Sequence, residues 1–273
     1  MKKMLVLDID GTSVTDAHEL TDKLKRVIHL IKDEHTVCIA TGRSVSDSYM
    51  YYKALDLDTE LICHNGGLVF NPINGTVKYQ SNIAESEKML NFLVEHKNDY
   101  GIDNVVTSRC NETYLLNNGN EYLHSVMVHP DLPFFHIGKQ ITKICDIQRI
   151  IISIRSDRCQ TLVKELERAF SDIIVCGWRG RGDIIDISVG AVSKWTAVHR
   201  IAEEKKIMIS NIISFGDAIN DIELLKQSGT GVCMFNGVEA VKDVADYVTE
   251  YDNNHDGVYY FLVNQLSTTF GLG

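Results

Sequence analysis

Short apolar runs alternate with amphipathic segments over the first 80 residues. The runs that predict buried strands are Lys3 to Leu7, Val37 to Ala40 and Leu61 to Cys63. Between the first two runs, apolar residues at helical spacing predict a helix over 21–34, and a second helix is predicted from Ser44 to Ala54. The order strand, helix, strand, helix, strand is typical of a parallel sheet with crossover helices.

The last 80 residues repeat this alternation. The predicted strands are Asn211 to Phe215, Val232 to Phe235 and Tyr247 to Thr249. The predicted helices are Lys194 to Glu204, Asn220 to Gln227, Val238 to Val244 and Gly257 to Leu266. Both ends of the chain are therefore expected to contribute to one α/β sheet.

The middle of the chain has a different pattern, because several short strand-like segments are interspersed with only two helical stretches. This is α+β in character. We therefore predict an α/β core made of 1–81 and 191–273, with a second domain, 82–190, inserted between the two parts.

Composition and charge exclude several classes of protein. Of the 273 residues, 44% are hydrophobic and 23% charged, which is ordinary for a globular protein and argues against general disorder. With 27 Lys and Arg against 37 Asp and Glu, the formal net charge is −10, so neither nucleic acid nor an anionic membrane surface is an expected partner. No apolar stretch approaches the roughly 18 residues of a membrane-spanning helix.

The seven cysteines are odd in number, widely spaced and without a Cys-x-x-Cys pair. They indicate neither a disulfide framework nor a zinc site. Most lie in apolar, strand-like runs, where a buried thiol is expected, and we predict a cytoplasmic protein.

Acidic residues follow two of the predicted strands. The first strand ends in Asp8-Ile9-Asp10-Gly11-Thr12, and the strand that ends at Phe215 is followed by Gly216-Asp217-Ala218-Ile219-Asn220-Asp221. Carboxylates gathered at the carboxyl edge of a sheet repel one another unless a cation lies among them, and an all-oxygen set favours Mg²⁺. Taken singly, each segment is also compatible with an ordinary Asp-Gly turn or a solvated acidic loop.

Two further segments are suited to binding an anion. Thr41-Gly42-Arg43-Ser44 joins a strand to a helix and combines a hydroxyl group, a flexible glycine and a helix N-terminus. Lys194 stands at the start of a helix, where a cation is unfavourable, so an anionic partner is expected. Alone, the first is a common turn and the second is compatible with a solvated lysine.

Together, and in this order, the four segments resemble the motifs of the haloacid dehalogenase superfamily of phosphotransferases. The Cof-type subfamily is indicated by Asn65-Gly66-Gly67, by Asp186-Ile187 before Val192-Ser193-Lys194, and by Asp256-Gly257-Val258. The resemblance covers the whole chain. It implies a Rossmann-like parallel-sheet core with an inserted α/β cap domain of class II, subtype B. It also implies Mg²⁺-dependent hydrolysis of a phosphate monoester.

The resemblance also implies roles for individual residues. Asp8 is expected to attack phosphorus and form an aspartyl-phosphate, and Asp10 to act as general acid and base. Mg²⁺ is expected on Asp8, the main-chain carbonyl of Asp10 and Asp217, with Asp221 supporting the metal-bound waters or Lys194. The expected catalytic residues are Asp8, Asp10, Thr41 and Lys194. The expected phosphate contacts are Thr12, Thr41, Gly42, Arg43, Lys194 and Asn220.

Substrate selection is expected to lie in the inserted domain, where Arg179 and Arg181 are flanked by glycines and are suited to contacting an anionic substrate. A solvated hairpin tip is the alternative for this stretch. The leading function is a phosphatase of a small phosphorylated metabolite, such as a sugar phosphate, flavin mononucleotide or pyridoxal phosphate. The alternatives are a phosphomutase or phosphotransferase with the same aspartyl-phosphate, or a non-enzymatic binding protein switched by phosphorylation.

Overall fold

A computed structural model describes residues 2–117, 123, 133–178 and 181–265. Its helices are α1 (Asp22–Ile31), α2 (Val45–Ala54), α3 (Ser86–Glu95), α4 (Lys97–Tyr100), α5 (Cys159–Ala169), α6 (Lys194–Glu204), α7 (Ile222–Gln227), α8 (Glu239–Lys242) and α9 (Gly257–Gln265).

Its strands are β1 (Met4–Leu7), β2 (Thr36–Ala40), β3 (Leu61–Cys63), β4 (Leu68–Asn71), β5 (Thr76–Gln80), β6 (Ile102–Arg109), β7 (Glu112–Leu115), β8 (Phe134–His136), β9 (Arg149–Ile154), β10 (Ile173–Trp178), β11 (Arg181–Val189), β12 (Ile212–Gly216), β13 (Thr230–Cys233) and β14 (Tyr247–Val248).

The chain divides into two compact units. The first contains Met1–Gly42, Ser48–Thr76 and Ser193–Gly273, and the second contains Arg43–Asp47 and Val77–Val192. One sheet has the strand order β14-β13-β12-β1-β2-β3-β4-β5. The pairs from β14 to β3 are parallel, whereas β3 and β4 are antiparallel.

The strands at the centre of this sheet are buried along their whole length. Every residue of β1, β2 and β12 is buried, so both faces of these strands are covered. That coverage explains why their sequences are nearly continuous apolar runs rather than alternating ones. β1 lies between β12 and β2, and this order brings segments from opposite ends of the chain side by side.

Helix α1 shows how local chemistry sets an element's ends. The Thr21 hydroxyl oxygen accepts from the backbone N–H of Leu24 at 3.2 Å, as an N-cap does. The apolar residues at helical spacing are all buried, and the helix ends at Ile31 rather than at 34. The residues beyond Ile31 are charged and have no apolar side chain to pack against the sheet.

The second unit contains a six-stranded sheet of order β10-β11-β9-β6-β7-β8. Its pairs are antiparallel except for β7 and β8. One face of this sheet packs against α3 and α5 through a large apolar cluster that includes Met89, Leu93, Leu162 and Ile152. The edge strand β8 was not predicted, because its three residues are exposed and flanked by a proline, so no alternation marks it.

None of the helices in the described part of the chain combines the length and apolar character that a bilayer crossing requires. The seven cysteines all lie within that part, and none of them is in a disulfide.

Candidate active site

Three neighbouring parallel strands bring the predicted motifs to one edge of the first sheet. Asp8 directly follows β1, Thr41 directly follows β2, and Asp217 directly follows β12. Because these strands are parallel and adjacent, their carboxyl ends meet at the same edge. Asp8 and Asp217 are thereby close in space although 209 positions separate them in the sequence.

Lys194 lies at the centre of this edge as the first residue of α6. The helix begins with a reciprocal cap between Ser193 and Thr196, which places Lys194 at its N-terminus. The Lys194 ammonium donates to Asp8 Oδ1 at 2.5 Å and to Asp221 Oδ1 at 2.6 Å. These carboxylates are the anionic partners that a lysine at a helix start requires.

The site has an excess of negative charge. Ligand oxygens of Asp8, Asp217 and Asp221 lie within 4.8 Å of one another, and all three residues are buried. Against these three carboxylates stands the single ammonium of Lys194, which is fully buried. The formal charge of these four side chains is therefore −2, equal and opposite to that of a divalent cation.

The pKa values of Asp8 and Lys194 are shifted by this burial of charge. Burial raises the pKa of Asp8 well above its ordinary value; Lys194 opposes this rise, while Asp221, Asp217 and Asp10 add to it. Burial alone would lower the pKa of Lys194, but the charges of Asp221 and Asp8 outweigh it and raise that pKa above its usual range. The ammonium therefore stays charged at neutral pH.

Asp221 is held from two sides. Its Oδ1 accepts from Lys194, and its Oδ2 accepts from the backbone N–H groups of Asp217 and Ala218, each at 3.1 Å. These contacts tie Asp221 to Lys194 and to the turn after β12. Asp8 and Asp217 are the other two carboxylates of the cluster.

The segment after Asp8 closes tightly on Asp217. Gly11 has φ of +71°, and a Cβ atom at Gly11 would overlap the Asp217 carboxylate, so glycine is required at this position. The Thr12 hydroxyl donates to Asp217 Oδ1 at 3.2 Å, and the Ser13 hydroxyl donates to the Asp8 carbonyl at 2.5 Å. Thr12, expected to contact phosphate, thus contacts a carboxylate of the cluster.

Asp10 differs from the buried carboxylates, since its side chain is 47% exposed. Its Oδ1 lies 3.6 Å from Nδ1 of His18, a residue that was not predicted to belong to the site. His18 lies in a polar loop eight positions further on, and no periodicity or motif marks it. Only the folding back of this loop reveals its closeness to Asp10.

The segment after β2 is fixed by main-chain bonds. Thr41 is buried; its N–H donates to the Ile62 carbonyl at 2.9 Å, and its own carbonyl accepts from the Asn65 N–H at 3.0 Å. Asn220 donates from Nδ2 to Asn65 Oδ1 at 2.8 Å. Asn65 was noted in the sequence only as part of a subfamily resemblance, and the fold places it between two predicted phosphate-binding segments.

Two of the three predicted arginines make contacts within the second unit. Arg43 belongs to the second unit, where its guanidinium donates to the main-chain carbonyl of Asp47 at 3.2 Å. Arg181, at the start of β11, donates to both carboxylate oxygens of Asp183 at 2.8 and 2.7 Å. Arg179 lies outside the described residues.

The carboxylate cluster fits a hard divalent cation. Its donor atoms are all carboxylate oxygens, and no sulfur or imidazole ligand lies among them within the described ranges. Burial and excess negative charge strengthen the attraction for such an ion. The residues present therefore suit Mg²⁺.

Comparisons with known proteins show the family of the chain. Residues 5–262 match the haloacid dehalogenase-like hydrolase family, and the chain belongs to that family. Sequence relatives include a 5-amino-6-(5-phospho-D-ribitylamino)uracil phosphatase, YitU, of Bacillus subtilis (strain 168). It is 26% identical over 268 residues, which cover 97% of each chain.

A second relative is the pyridoxal phosphate phosphatase YbhA of Escherichia coli (strain K12), 24% identical over 97% of this chain and 98% of that protein. A solved haloacid dehalogenase-like hydrolase from Bacteroides thetaiotaomicron has a TM-score of 0.84 and 21% identity. The match covers 97% of this chain and 99% of the other, and it shows the fold. The predicted superfamily, the fold class and the enzyme class, a phosphoric monoester hydrolase, are confirmed.

Proposed function

We propose that the protein is a Mg²⁺-dependent phosphatase of a small phosphorylated metabolite and acts through an aspartyl-phosphate on Asp8. One observation carries the proposal: Lys194 is buried against Asp8 and Asp221, with Asp217 in the same cluster at the carboxyl edge of the sheet. A buried carboxylate with a raised pKa, such as that of Asp8, beside a fixed cation is typical of a catalytic site.

In the first step, an Asp8 carboxylate oxygen attacks phosphorus, and the bond from phosphorus to the ester oxygen breaks. Asp10 gives its proton to that leaving oxygen and becomes a carboxylate. The half-exposed side chain of Asp10 suits this role, because it is accessible to molecules that enter the site from solvent.

In the second step, Asp10 removes a proton from a water molecule, and the water oxygen attacks the phosphorus of the aspartyl-phosphate. The bond between phosphorus and the Asp8 oxygen breaks, which releases inorganic phosphate and restores both residues. General acid and base transfers of this kind typically contribute about 10²–10⁴-fold each.

Lys194 holds the attacking carboxylate in place and balances negative charge as the phosphoryl oxygens approach. Mg²⁺ on Asp8, the main-chain carbonyl of Asp10 and Asp217 would neutralise negative charge on the phosphoryl group. Thr41, Gly42 and Asn220 border the same edge and are assigned to phosphate contact, as are Thr12 and Arg43 from the motif resemblance.

The substrate class is proposed from the relatives and the chain's organisation. The named phosphatases act on a ribitylaminouracil phosphate and on pyridoxal phosphate, both small heterocyclic phosphomonoesters. We assign 1–81 and 191–273 to the catalytic core and 82–190 to a cap that selects the leaving group, with Arg179 and Arg181 as candidate contacts. We also propose a cytoplasmic location, because the odd number and wide spacing of the cysteines are not those of a disulfide framework.

The test is phosphate release from p-nitrophenyl phosphate, pyridoxal phosphate, flavin mononucleotide, a hexose phosphate and the ribitylaminouracil phosphate, with and without Mg²⁺. Turnover is expected to need Mg²⁺ and to fall by about 10⁴-fold or more in Asp8→Asn, since a nucleophile is lost. Asp33→Asn, which changes an exposed aspartate after α1, is the matched control. Equal turnover in Asp8→Asn and wild type overturns the proposal.

The same assay separates hydrolysis from transfer. A rapid burst of phosphorylation followed by slow turnover in water, accelerated by an added acceptor alcohol, would favour the phosphotransferase alternative. Steady release of inorganic phosphate without a burst supports the phosphatase.

A further inference from the structure

The turn after β3 has an unusual backbone. His64, Asn65 and Gly66 have φ values of 51°, 55° and 98°, so three consecutive residues lie in the left-handed region. This region is unfavourable for residues with a Cβ, although asparagine tolerates it better than most. The surrounding structure therefore holds this turn in place, and its contacts show what it does.

The turn touches three segments that each contribute to the proposed phosphate site. The Asn65 N–H donates to the carbonyl of Thr41 at 3.0 Å. Asn65 Oδ1 accepts from Asn220 Nδ2 at 2.8 Å, which links this turn to the turn after β12. A Cβ atom on Gly42 would lie 3.1 Å from Asn65 Oδ1, so the amide is packed directly against the Gly42 backbone.

The next residue secures the third segment. A Cβ atom on Gly66 would overlap the carbonyl oxygen of Ser193, the N-cap of α6. Only glycine permits this approach, which sets the turn against the start of the helix that carries Lys194. One short turn thus contacts the segment after β2 that holds Thr41, the turn after β12 that holds Asn220, and the start of the helix that holds Lys194.

We infer that Asn65 is a positioning residue for phosphate binding, a role that rests on the proposed phosphatase function. Its amide fixes the orientation of Asn220 and supports the backbone at Gly42, while the left-handed turn keeps that amide in place. Neither the order of the motifs nor the spacing between them assigns this role, because Asn65 lies 155 positions from Asn220.

The sharpest test removes the amide without disturbing the backbone. Asn65→Gly keeps a residue that readily adopts positive φ, so the turn is expected to persist while both side-chain contacts are lost. Asp56→Gly, at an exposed residue with φ of 50° in the same unit, is the matched control. Kinetics are measured on p-nitrophenyl phosphate and pyridoxal phosphate, with inorganic phosphate as a competitive inhibitor.

In Asn65→Gly, kcat/KM is expected to fall by about 10–100-fold on both esters, and the inhibition constant of inorganic phosphate to rise by about the same factor. The melting temperature is expected to match that of Asp56→Gly. The double variant Asn65→Gly/Asn220→Ala should lose no more kcat/KM than the more severe of the two single variants, because the two amides act as a pair. A merely structural role predicts equal phosphate inhibition in wild type and variant.

The assignment is overturned if folded Asn65→Gly is inhibited by phosphate as strongly as wild type. It is also overturned if the losses of kcat/KM in Asn65→Gly and Asn220→Ala add fully in the double variant. If Asn65→Gly fails to fold, Asn65→Asp decides: it keeps the shape and the acceptor but places a carboxylate against Gly42. An increase in KM of tenfold or more then supports the assignment, and an unchanged KM overturns it.

If Asp8→Asn retains full activity, the proposed function itself fails. If Asp8→Asn loses activity while Asn65→Gly has wild-type kinetics, only the role of Asn65 is overturned.

Discussion

The two units bury charge in different ways. In the first, Asp8, Asp217 and Asp221 surround the single ammonium of Lys194, which leaves a formal charge of −2. In the second, buried Arg149 donates to both carboxylate oxygens of Asp186 and lies 3.9 Å from Asp47.

The second cluster is closer to neutral, because Arg43 also acts on Asp47. Burial raises the pKa of Asp47, while the charges of Arg149 and Arg43 and hydrogen bonds from Ser44 lower it. Two guanidinium groups thus oppose the carboxylates of Asp47 and Asp186. A cluster of balanced charge needs no further ion for neutrality, whereas an unbalanced one at a sheet edge attracts a cation. The charge imbalance, rather than burial itself, distinguishes the proposed catalytic site from the cluster of the second unit.

The largest expected effect on stability comes from breaking the balanced cluster. Arg149→Met removes the main cationic partner of the buried Asp47 and of the partly buried Asp186, and removing one partner of a buried ion pair costs about 3–5 kcal/mol. The free energy of unfolding in urea measures this change. Hydrogen exchange is expected to show faster opening confined to the second unit.

Arg155→Met is the control for that variant, since Arg155 pairs with Asp157 on the surface, with side chains 64% and 57% exposed. Exposed pairs contribute about 0–1 kcal/mol. Similar losses in the two variants would show that the buried cluster of the second unit contributes no more than a surface pair.

A smaller effect is expected from Mg²⁺ on the first cluster. An ion that binds only the folded state stabilises it by about 2.7 kcal/mol at 100 times its dissociation constant. Unfolding of wild type at increasing Mg²⁺ concentrations measures this gain, and the gain is expected to be lost in Asp217→Asn. Arg149→Met is expected to retain it, and equal Mg²⁺ responses of wild type and Asp217→Asn would contradict the assignment of the metal site.

The smallest of the three effects concerns pH and Asp47. Because the pKa of Asp47 is raised in the folded protein, the native state binds its proton more readily than the unfolded chain. The stabilisation that comes from this tighter proton binding is therefore fully present below the ordinary aspartate pKa of about 3.9. It is lost as pH rises through the raised pKa of Asp47 in the folded protein. Asp47→Asn removes this dependence.

The measurement is the difference in free energy of unfolding between wild type and Asp47→Asn, taken at pH values from below the ordinary aspartate pKa to neutral pH. This difference should move in favour of wild type as pH falls, since other titrating groups cancel. A difference that is constant with pH would show that Asp47 titrates normally in the folded state.

Much of the first unit was predictable because its chemistry is local in sequence. Asp8 and Asp217 each follow an apolar run that reads as a buried strand, and parallel strands meet at one edge. The helix-start position of Lys194 indicated an anionic partner before any contact was known. Periodicity also located α1, although packing ended it three residues earlier than predicted.

The second unit was less predictable. No sequence motif includes Arg149, and an arginine in an isoleucine-rich run is not by itself expected to be buried. Its burial depends on the carboxylates of Asp186 and Asp47, which only the fold brings beside it. The exposed edge strand β8 has too little apolar content to stand out from a loop. In the first unit, the contacts of His18 with Asp10 and of Asn65 with Asn220 were not predicted either, because they form between segments that only the fold brings together.

The sequence by itself determined the α/β class, the family resemblance and the carboxylates at the strand ends, because each depends on residue type and short-range spacing. Only the tertiary structure decided that Lys194 joins Asp8 to Asp221, that Asp221 is tied to that lysine and to the turn after β12, and that Asn65 links Thr41 to Asn220. These contacts depend on which strands become neighbours, and strand order is set by packing of the whole chain rather than by any single segment.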